Sequence, residues 1–149
     1  MRYIECPQEY SGKEKSLFLA GGITGCVDWQ LELLDLLKDT DLVILNPRRK
    51  NFDLSISNIE EEQIAWEFNH LNKADAVSFW FPKETLCPIT LYELGKISMG
   101  NKKLFIGLDP SYARKNDVLT QTKLIRPDVK IIYSLRDLAE QIISWSGFQ

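Results

Sequence analysis

The chain has 149 residues, with 18 Lys and Arg against 21 Asp and Glu and a formal net charge of −3. This length suits one domain with a core of its own, and the acidic balance argues against general nucleic-acid binding. The sequence has no apolar run of about 18 residues, so no membrane span is predicted. No signal peptide is expected either, because no apolar core follows Met1. The scattered cysteines Cys6, Cys26 and Cys87 predict reduced thiols in a cytoplasm.

Short apolar runs that end in turn residues alternate with helical patterns along the chain. Strands are predicted at 16–20, 42–45, 76–81, 104–108 and 130–133. Helices are predicted at 28–38, from a cap at Ser57 or Asn58 to Lys73, at 89–99, and at 135–145 after a Ser134 cap. The alternation predicts an α/β fold with a five-stranded parallel sheet and helices on both faces. We expect one domain over residues 1–149, in which residues 1–15 are an N-terminal extension.

The second predicted helix carries two stripes. Ile64, Phe68 and Leu71 lie at i, i+4 and i+7, which predicts the face that packs on the core. Gln63, Glu67 and His70, also at i, i+4 and i+7, lie on the edge of that face, where we expect His70 to be a surface residue. If burial raises its pKa, Glu67 is a candidate general acid for a leaving base.

Several turns follow the predicted strands directly. In a parallel sheet these carboxyl ends meet at one edge, where ligands bind. The turns are Gly21-Gly22, Asn46-Pro47-Arg48-Arg49, Trp80-Phe81-Pro82 and Asp109-Pro110. The glycine-rich turn matches neither the dinucleotide fingerprint nor a P-loop, so it is either a plain turn or a close backbone approach to a sugar or phosphate. The Arg48-Arg49-Lys50 cluster is either solvated or faces the site.

Glu93 is the most informative acidic residue. It follows Pro88 in a predicted helix that starts at the same sheet edge, and a helix N-terminus favours an ionised carboxylate. Such a carboxylate can attack a carbon that becomes cationic, as at C1′ of a sugar. The alternative is an ordinary first-turn glutamate.

Aromatic and polar residues near this edge complete the candidates. Trp29, Phe52 and Trp80 either stack on a planar base or pack in the core, and strand alternation puts Trp80 opposite its neighbours. Asn116 and Asp117 start a later helix as a cap or as ligands. No Ser-His-Asp set is present, and a single histidine leaves little for a metal, so neither a metal nor a cofactor is predicted.

Five segments occur in the order and spacing of nucleoside 2-deoxyribosyltransferases. They are Phe18–Ile23, Asn46–Arg49, Ile64–Glu67, Ala74–Asp75 with Phe79–Pro82, and Leu91–Gly95. Over about Leu17 to Gln121 the chain resembles the branch of that family with the Asn-Pro-Arg-Arg segment. The resemblance implies a flavodoxin-like three-layer sandwich. It also implies a retaining, ping-pong transfer of 2′-deoxyribose between nucleobases in nucleotide salvage.

The resemblance assigns roles to residues. Glu93 matches the nucleophile, which forms a covalent glutamyl intermediate, and Glu67 matches a second carboxylate beside sugar and base. The predicted substrate-binding residues are Gly21, Gly22, Ile23, Trp29, Asn46, Arg48, Arg49, Phe52, Trp80, Pro82, Asn116, Asp117 and Gln121. The implied ligands are purine or pyrimidine deoxynucleosides and free nucleobases, with no cofactor.

The family also lends a residue across a subunit interface to the 5′ end of the sugar. Asn116 or Asp117 is the match here, so we expect a homo-oligomer, a dimer or a hexamer. Two positions depart from better-known members. Phe18 replaces a tyrosine that can hydrogen-bond the nucleophile, and Leu86-Cys87-Pro88 replaces a loop with an aspartate.

Two other functions stay open on the same fold. One is hydrolysis of 2′-deoxynucleoside 5′-monophosphates by the same nucleophile, with water as acceptor. That function calls for a phosphate-binding set, for which Arg48 and Arg49 are the candidates. The other is a nucleotide-sensing module without turnover, against which the presence of both Glu67 and Glu93 argues.

Overall fold

The computed structural model describes residues 1–147, in which six strands alternate with five helices. The strands are β1 (Arg2–Glu5), β2 (Ser16–Gly21), β3 (Val43–Asn46), β4 (Ala76–Phe81), β5 (Lys103–Leu108) and β6 (Ile131–Ile132). The helices are α1 (Trp29–Leu37), α2 (Ile59–Lys73), α3 (Pro88–Ser98), α4 (Lys115–Ile125) and α5 (Leu135–Ser146). None of the helices in this part of the chain is long and apolar enough to cross a membrane.

The six strands form one parallel sheet in the order β1-β3-β2-β4-β5-β6. Counted from β2, this is the flavodoxin-like order 2-1-3-4-5. The predicted α/β fold with a parallel sheet is therefore confirmed, with six strands instead of five. The additional strand, β1, lies within the predicted N-terminal extension and pairs with β3, Tyr3 opposite Ile44. As an edge strand with one buried residue, Ile4, it lacks the apolar run that marks the inner strands.

Alternation along the strands divides the core into two layers. Leu17, Leu19 and Trp80 point toward α1 and α5, whereas Phe79 and Phe81 point to the other face. That second layer is covered by α2, α3 and α4 through Trp66, Leu71, Leu94, Ile97 and Val118. The predicted opposition of Trp80 to its two neighbours is thus confirmed.

The predicted core stripe of α2 is confirmed at Leu71, which is buried, but is wrong for the other two residues. Ile64 and Phe68 are 65% and 57% exposed, whereas Trp66 and His70 are buried. His70 is no surface residue, because its ring stacks on Trp66 at 4.0 Å and its Nε2 accepts a hydrogen bond from the Tyr10 N–H at 3.3 Å. The segment after β1 packs over this side of α2, and helical spacing alone does not reveal such a partner.

Helix caps follow the local chemistry in part. Ser134 caps α5 as predicted, since its Oγ accepts from the Asp137 N–H at 3.1 Å. Asn58 precedes α2 as predicted, but its left-handed conformation leaves no side-chain cap bond. The residue before α4 is Arg114, so Asn116 and Asp117 lie inside the helix and neither is its cap.

Candidate active site

One cavity of about 480 Å³ lies at the carboxyl edge of the sheet, on the face covered by α2 and α3. Its wall combines apolar side chains with two carboxylates. The lining residues are Phe18, Ala20, Gly21, Gly22, Ile23, Thr24, Pro47, Arg48, Arg49, Phe52, Gln63, Glu67, Thr85, Cys87, Pro88, Ile89, Thr90 and Glu93. The ends of β2 and β3 and the start of α3 therefore meet at one site, as topology requires of parallel strands.

The glycine pair at the end of β2 is required by close packing. A Cβ at Gly21 would lie 2.4 Å from the Trp29 ring and 2.5 Å from the Trp80 carbonyl. A Cβ at Gly22 would lie 2.7 Å from Pro82 and 2.9 Å from Thr85. The turn therefore brings bare backbone to the cavity wall, where larger residues would displace the neighbouring elements.

Glu93 lies in the second turn of α3, not the first. The helix begins at Pro88 and has no acidic residue in its first turn. The macrodipole acts mainly within the first turn, so it gives Glu93 little of the stabilisation expected from sequence. The loop before the helix is held instead by the Tyr112 hydroxyl, which donates to the Leu86 carbonyl at 2.8 Å.

Burial dominates the ionisation of Glu93. Desolvation, and then the charge of Glu67, raise the pKa of Glu93 to about 7, and the charge of Lys96 opposes them only in part. Within residues 1–147, no hydrogen-bond donor reaches this carboxylate. Phe18, which lines the same cavity, has no hydroxyl with which to donate. The expectation of an ionised Glu93 at this helix N-terminus is therefore not met at neutral pH, because burial outweighs the helix dipole.

Glu67 is held by a hydrogen-bonded network. Gln63 Nε2 donates to Glu67 Oε1 and to the Pro47 carbonyl, each at 2.7 Å. Arg49 Nε donates to Gln63 Oε1 at 2.7 Å. Burial raises the pKa of Glu67, while the Gln63 hydrogen bond and the Arg49 charge act in the opposite direction. The site thus holds two carboxyls, only one of which has a fixed donor.

Arg48 and Arg49 are both engaged within the protein. Arg48 Nη1 donates to the Val27 carbonyl and to Gln30 Oε1, each at 3.1 Å. Arg49 Nη2 donates to Glu62 at 2.6 Å and to the Cys6 sulfur at 3.0 Å. These contacts tie α1 and the residue pair before it, α2, and the segment after β1 to the turn that follows β3.

Of the three predicted stacking aromatics, only Phe52 lines the cavity. Trp29 and Trp80 are buried in the layer under α1 and α5, so core packing, the second alternative predicted for them, is the one the structure supports, and neither is placed to bind a ligand. Trp29 has a structural contact at the site, because its indole N–H donates to the Gly22 carbonyl at 2.8 Å. Trp80 packs its ring against Gly107 of β5.

Other predicted ligands also lie outside the cavity. Asn46 is buried, donates to the Tyr3 hydroxyl at 3.1 Å and accepts from the Arg48 N–H, which shapes the turn after β3. Pro82 packs near Gly22 behind the wall. Asp117 and Gln121 line a second cavity, between α3 and α4. Neither they nor Asn116 reaches the carboxylates within the same chain.

Several lining residues were not predicted from sequence. Thr90 lies three residues before Glu93, and Ala20 lies two residues after Phe18, so helical and strand spacing place each pair on one side. These spacings were the available signal. Thr85 and Cys87 lie in the loop before α3, where no periodicity exists to place a side chain.

Fold and site together define an α/β protein with flavodoxin-like strand order and two carboxyls in a cavity at the sheet edge. A model of the family described as nucleoside 2-deoxyribosyltransferase like matches residues 14–112, more than half of the chain. The chain belongs to this family. The match includes Glu67 and Glu93 and ends before α4. A search of curated proteins found no significant match.

Proposed function

We propose that the chain is a nucleoside 2′-deoxyribosyltransferase of nucleotide salvage in the cytoplasm, which works through a covalent Glu93 intermediate. The observation that carries the proposal is the pairing of Glu93 with Glu67, two carboxyls of raised pKa from neighbouring helices in one cavity. Such pairs supply a nucleophile and a proton donor for transfer at an anomeric carbon.

Each half-reaction balances within this pair. A Glu93 oxygen forms a bond to C1′ while the C1′–N bond breaks, and its electron pair goes to the base nitrogen. The protonated Glu67 gives that nitrogen a proton, and the neutral base departs. A second base then attacks C1′ through a ring nitrogen, returns its proton to Glu67 and releases Glu93 as carboxylate. Two displacements at C1′ retain the stereochemistry.

The proton inventory of the site suits this scheme. Because burial, and then the Glu67 charge, raise the pKa of Glu93 to about 7, the pair can hold a proton near neutral pH. Attack requires that this proton be on Glu67. The reactive form of the pair therefore needs no additional proton. It is the form in which the shared proton is on Glu67 and Glu93 is ionised.

The cavity suits a nucleoside in size and lining. Its volume of about 480 Å³ lies in the range of small-molecule sites. Phe52 and Ile23 offer apolar surface to a planar base, and Gly21 and Gly22 allow backbone to approach the sugar. Apolar closure also favours transfer over hydrolysis, since water competes with the second base.

The arginines favour nucleosides over 5′-monophosphates as substrates. Among the described residues that line the cavity, Arg48 and Arg49 are the cationic ones, and protein acceptors occupy both. A phosphate would have to displace these hydrogen bonds, which a neutral 5′-hydroxyl does not require. The hydrolase of deoxynucleotides is therefore the weaker candidate.

We further propose that a second copy of the chain completes the site. Asn116, Asp117 and Gln121 lie on α4, outside the cavity of their own chain. Tyr92 on α3 and Leu124 on α4 are 74% and 77% exposed, which suits an apolar contact between copies. A mixture of Glu93→Ala and Asp117→Ala chains is then expected to recover part of the activity that each lacks, through hybrid sites with one intact set.

The deciding assay uses deoxyinosine and adenine, followed by chromatography. We expect deoxyadenosine and hypoxanthine from the wild type, and neither from Glu93→Ala. The matched control is Glu140→Gln on α5, an exposed carboxylate beyond the opposite sheet face. It should match the wild type.

Three other outcomes are informative. Free deoxyribose without deoxyadenosine would favour a hydrolase. Identical traces for wild type and Glu93→Ala would contradict both catalytic functions for these substrates and favour a sensing module. An unfolded circular dichroism spectrum for Glu93→Ala would instead assign the residue a structural role.

A further inference from the structure

The amide of Gln63 can adopt only one orientation. Its Oε1 receives the Arg49 Nε–H at 2.7 Å, and an arginine only donates. Its Nε2 faces the Pro47 carbonyl at 2.7 Å, and a carbonyl only accepts. Both contacts independently exclude the flipped amide, so Nε2 must be the atom that contacts Glu67 Oε1.

Arg49 is itself fixed by other partners. Glu62 accepts from Nη2 at 2.6 Å, and the Cys6 sulfur lies 3.2 Å from Nε and 3.0 Å from Nη2. The Arg49 side chain is only 7% exposed. A continuous series of hydrogen bonds therefore runs from Glu62 through Arg49 and Gln63 to Glu67, the residue given the acid role above.

We infer that Gln63, locked by Arg49, is a positioning residue that keeps Oε1 of Glu67 as an acceptor and so directs the proton to Oε2. The two Nε2 hydrogens are both used, one on Pro47 and one on Glu67. Gln63 Nε2 can only donate a hydrogen bond to Glu67 Oε1. A proton on Oε1 would therefore face the hydrogen of this donor and could not bond to it. The protonated Glu67 thus presents its proton from one defined oxygen. The catalytic consequence of this positioning rests on the proposed transferase function, whereas the hydrogen-bond geometry does not.

The groups around Glu67 determine the direction in which its pKa should change when Gln63 is replaced. Glu93 faces it from α3, and Arg49 faces it from the turn after β3, with Glu62 compensating part of the Arg49 charge. The Cys6 thiol is uncharged, because burial raises its pKa to about 11. Removing the Gln63 donor leaves burial opposed only by the Arg49 charge. The pKa of Glu67 should then rise.

The test is a carbon-13 NMR titration of the glutamate carboxyls, in which Glu67→Gln identifies the Glu67 signal. In Gln63→Met we expect the Glu67 midpoint to move up by about one pH unit. The alkaline limb of kcat/KM should move by the same amount, since it reports the loss of the Glu67 proton. Gln141→Met on α5 is the matched control and should leave both unchanged.

A second variant keeps the test valid if Gln63→Met fails to fold. Arg49→Lys keeps the charge but loses the planar fork that holds Gln63, Glu62 and Cys6 together. It should shift the Glu67 midpoint in the same direction. Combining it with Gln63→Met should add little to the shift, because both break the same series of bonds.

The outcomes separate the two proposals. An unmoved Glu67 midpoint in folded Gln63→Met overturns the positioning role, even in an active transferase. A moved midpoint in a protein that transfers no deoxyribose supports the positioning role and contradicts the function. A loss of activity in Gln63→Met with no movement of the alkaline limb would assign Gln63 a structural role only.

Discussion

On one face of the sheet, Trp29 and Trp80 fill the space beneath α1 and α5; on the other, Glu67 and Glu93 face a cavity beneath α2 and α3. Both layers come from alternate residues of the same strands. The glycines at the end of β2 join them, since Gly21 packs against the Trp29 ring on one side and lines the cavity on the other. The tightly packed face can therefore keep the other face, which contains the cavity and its two carboxyls, in a rigid arrangement.

The comparison predicts that the two faces fail in different ways. Substitutions on the open face should change chemistry, pKa values and the pH dependence of activity and of stability, while the fold persists. Substitutions on the filled face should change the free energy of unfolding.

The largest expected effect is on the open face. Glu67→Gln should lower kcat/KM by about 10²–10⁴-fold, the usual contribution of a general acid, and should remove the alkaline limb of the pH profile. Steady-state assays from pH 5 to 9 measure both. An unchanged alkaline limb would show that another group delivers the proton.

On the filled face, Trp80→Ala should lower the free energy of unfolding by about 3–5 kcal/mol, because a buried ring is lost and Gly107 is left uncovered. Urea titration measures this. The control is Ile64→Ala on the exposed side of α2, which should stay within about 0.5 kcal/mol. Equal effects of the two variants would contradict the burial described for α2.

The open face should carry a stability cost that depends on pH. The pKa of Glu93 is raised to about 7, so the folded state binds more protons than the unfolded state between the ordinary glutamate pKa and about 7. Stability is therefore highest below that window and is lost as the pH rises through 7. Glu93→Gln should remove this loss, which is on the order of 3 kcal/mol.

Thermal unfolding of wild type and Glu93→Gln at pH 5 and pH 8 tests that sign. The variant should gain melting temperature relative to wild type mainly at pH 8. A larger relative gain at pH 5 would reverse the assignment of the shift to burial of an ionised Glu93.

The smallest effect should come from restoring a hydroxyl beside the nucleophile. Phe18→Tyr offers a donor to Glu93, so the pKa of Glu93 should fall by about one unit. The acid limb of kcat/KM should move down with it. No movement of this limb would mean that the hydroxyl does not reach the carboxylate.

The sequence predicted most of the fold because buried parallel strands are continuous apolar runs. The same criterion missed β1, which buries only Ile4 at the sheet edge. Meeting of the strand ends at one site followed from topology alone. The burial of individual side chains could not be predicted in the same way. Ile64 and Phe68 have the spacing of a buried stripe but are exposed, whereas the segment after β1 covers Trp66 and His70.

The site shows a similar division. Glu93, Glu67 and Phe52 were predicted near the sheet edge and line the cavity. The charge state of Glu93 was not predictable, because it depends on where α3 begins and on how deeply the side chain is buried. The i, i+4 spacing of Gln63 and Glu67 on α2 predicts that these two side chains lie side by side. Their contact with Arg49 was not predictable, because Arg49 comes from the turn after β3, and the helical spacing carries no sign of it.

The most direct measurement is a rapid acid quench of the enzyme with deoxyinosine alone, followed by peptide mapping by mass spectrometry. We expect one deoxyribosyl group on the peptide that contains Glu93, released as deoxyadenosine when adenine is added before the quench. Transfer without any adduct on that peptide, or an adduct on another residue, would contradict the claim that Glu93 is the nucleophile.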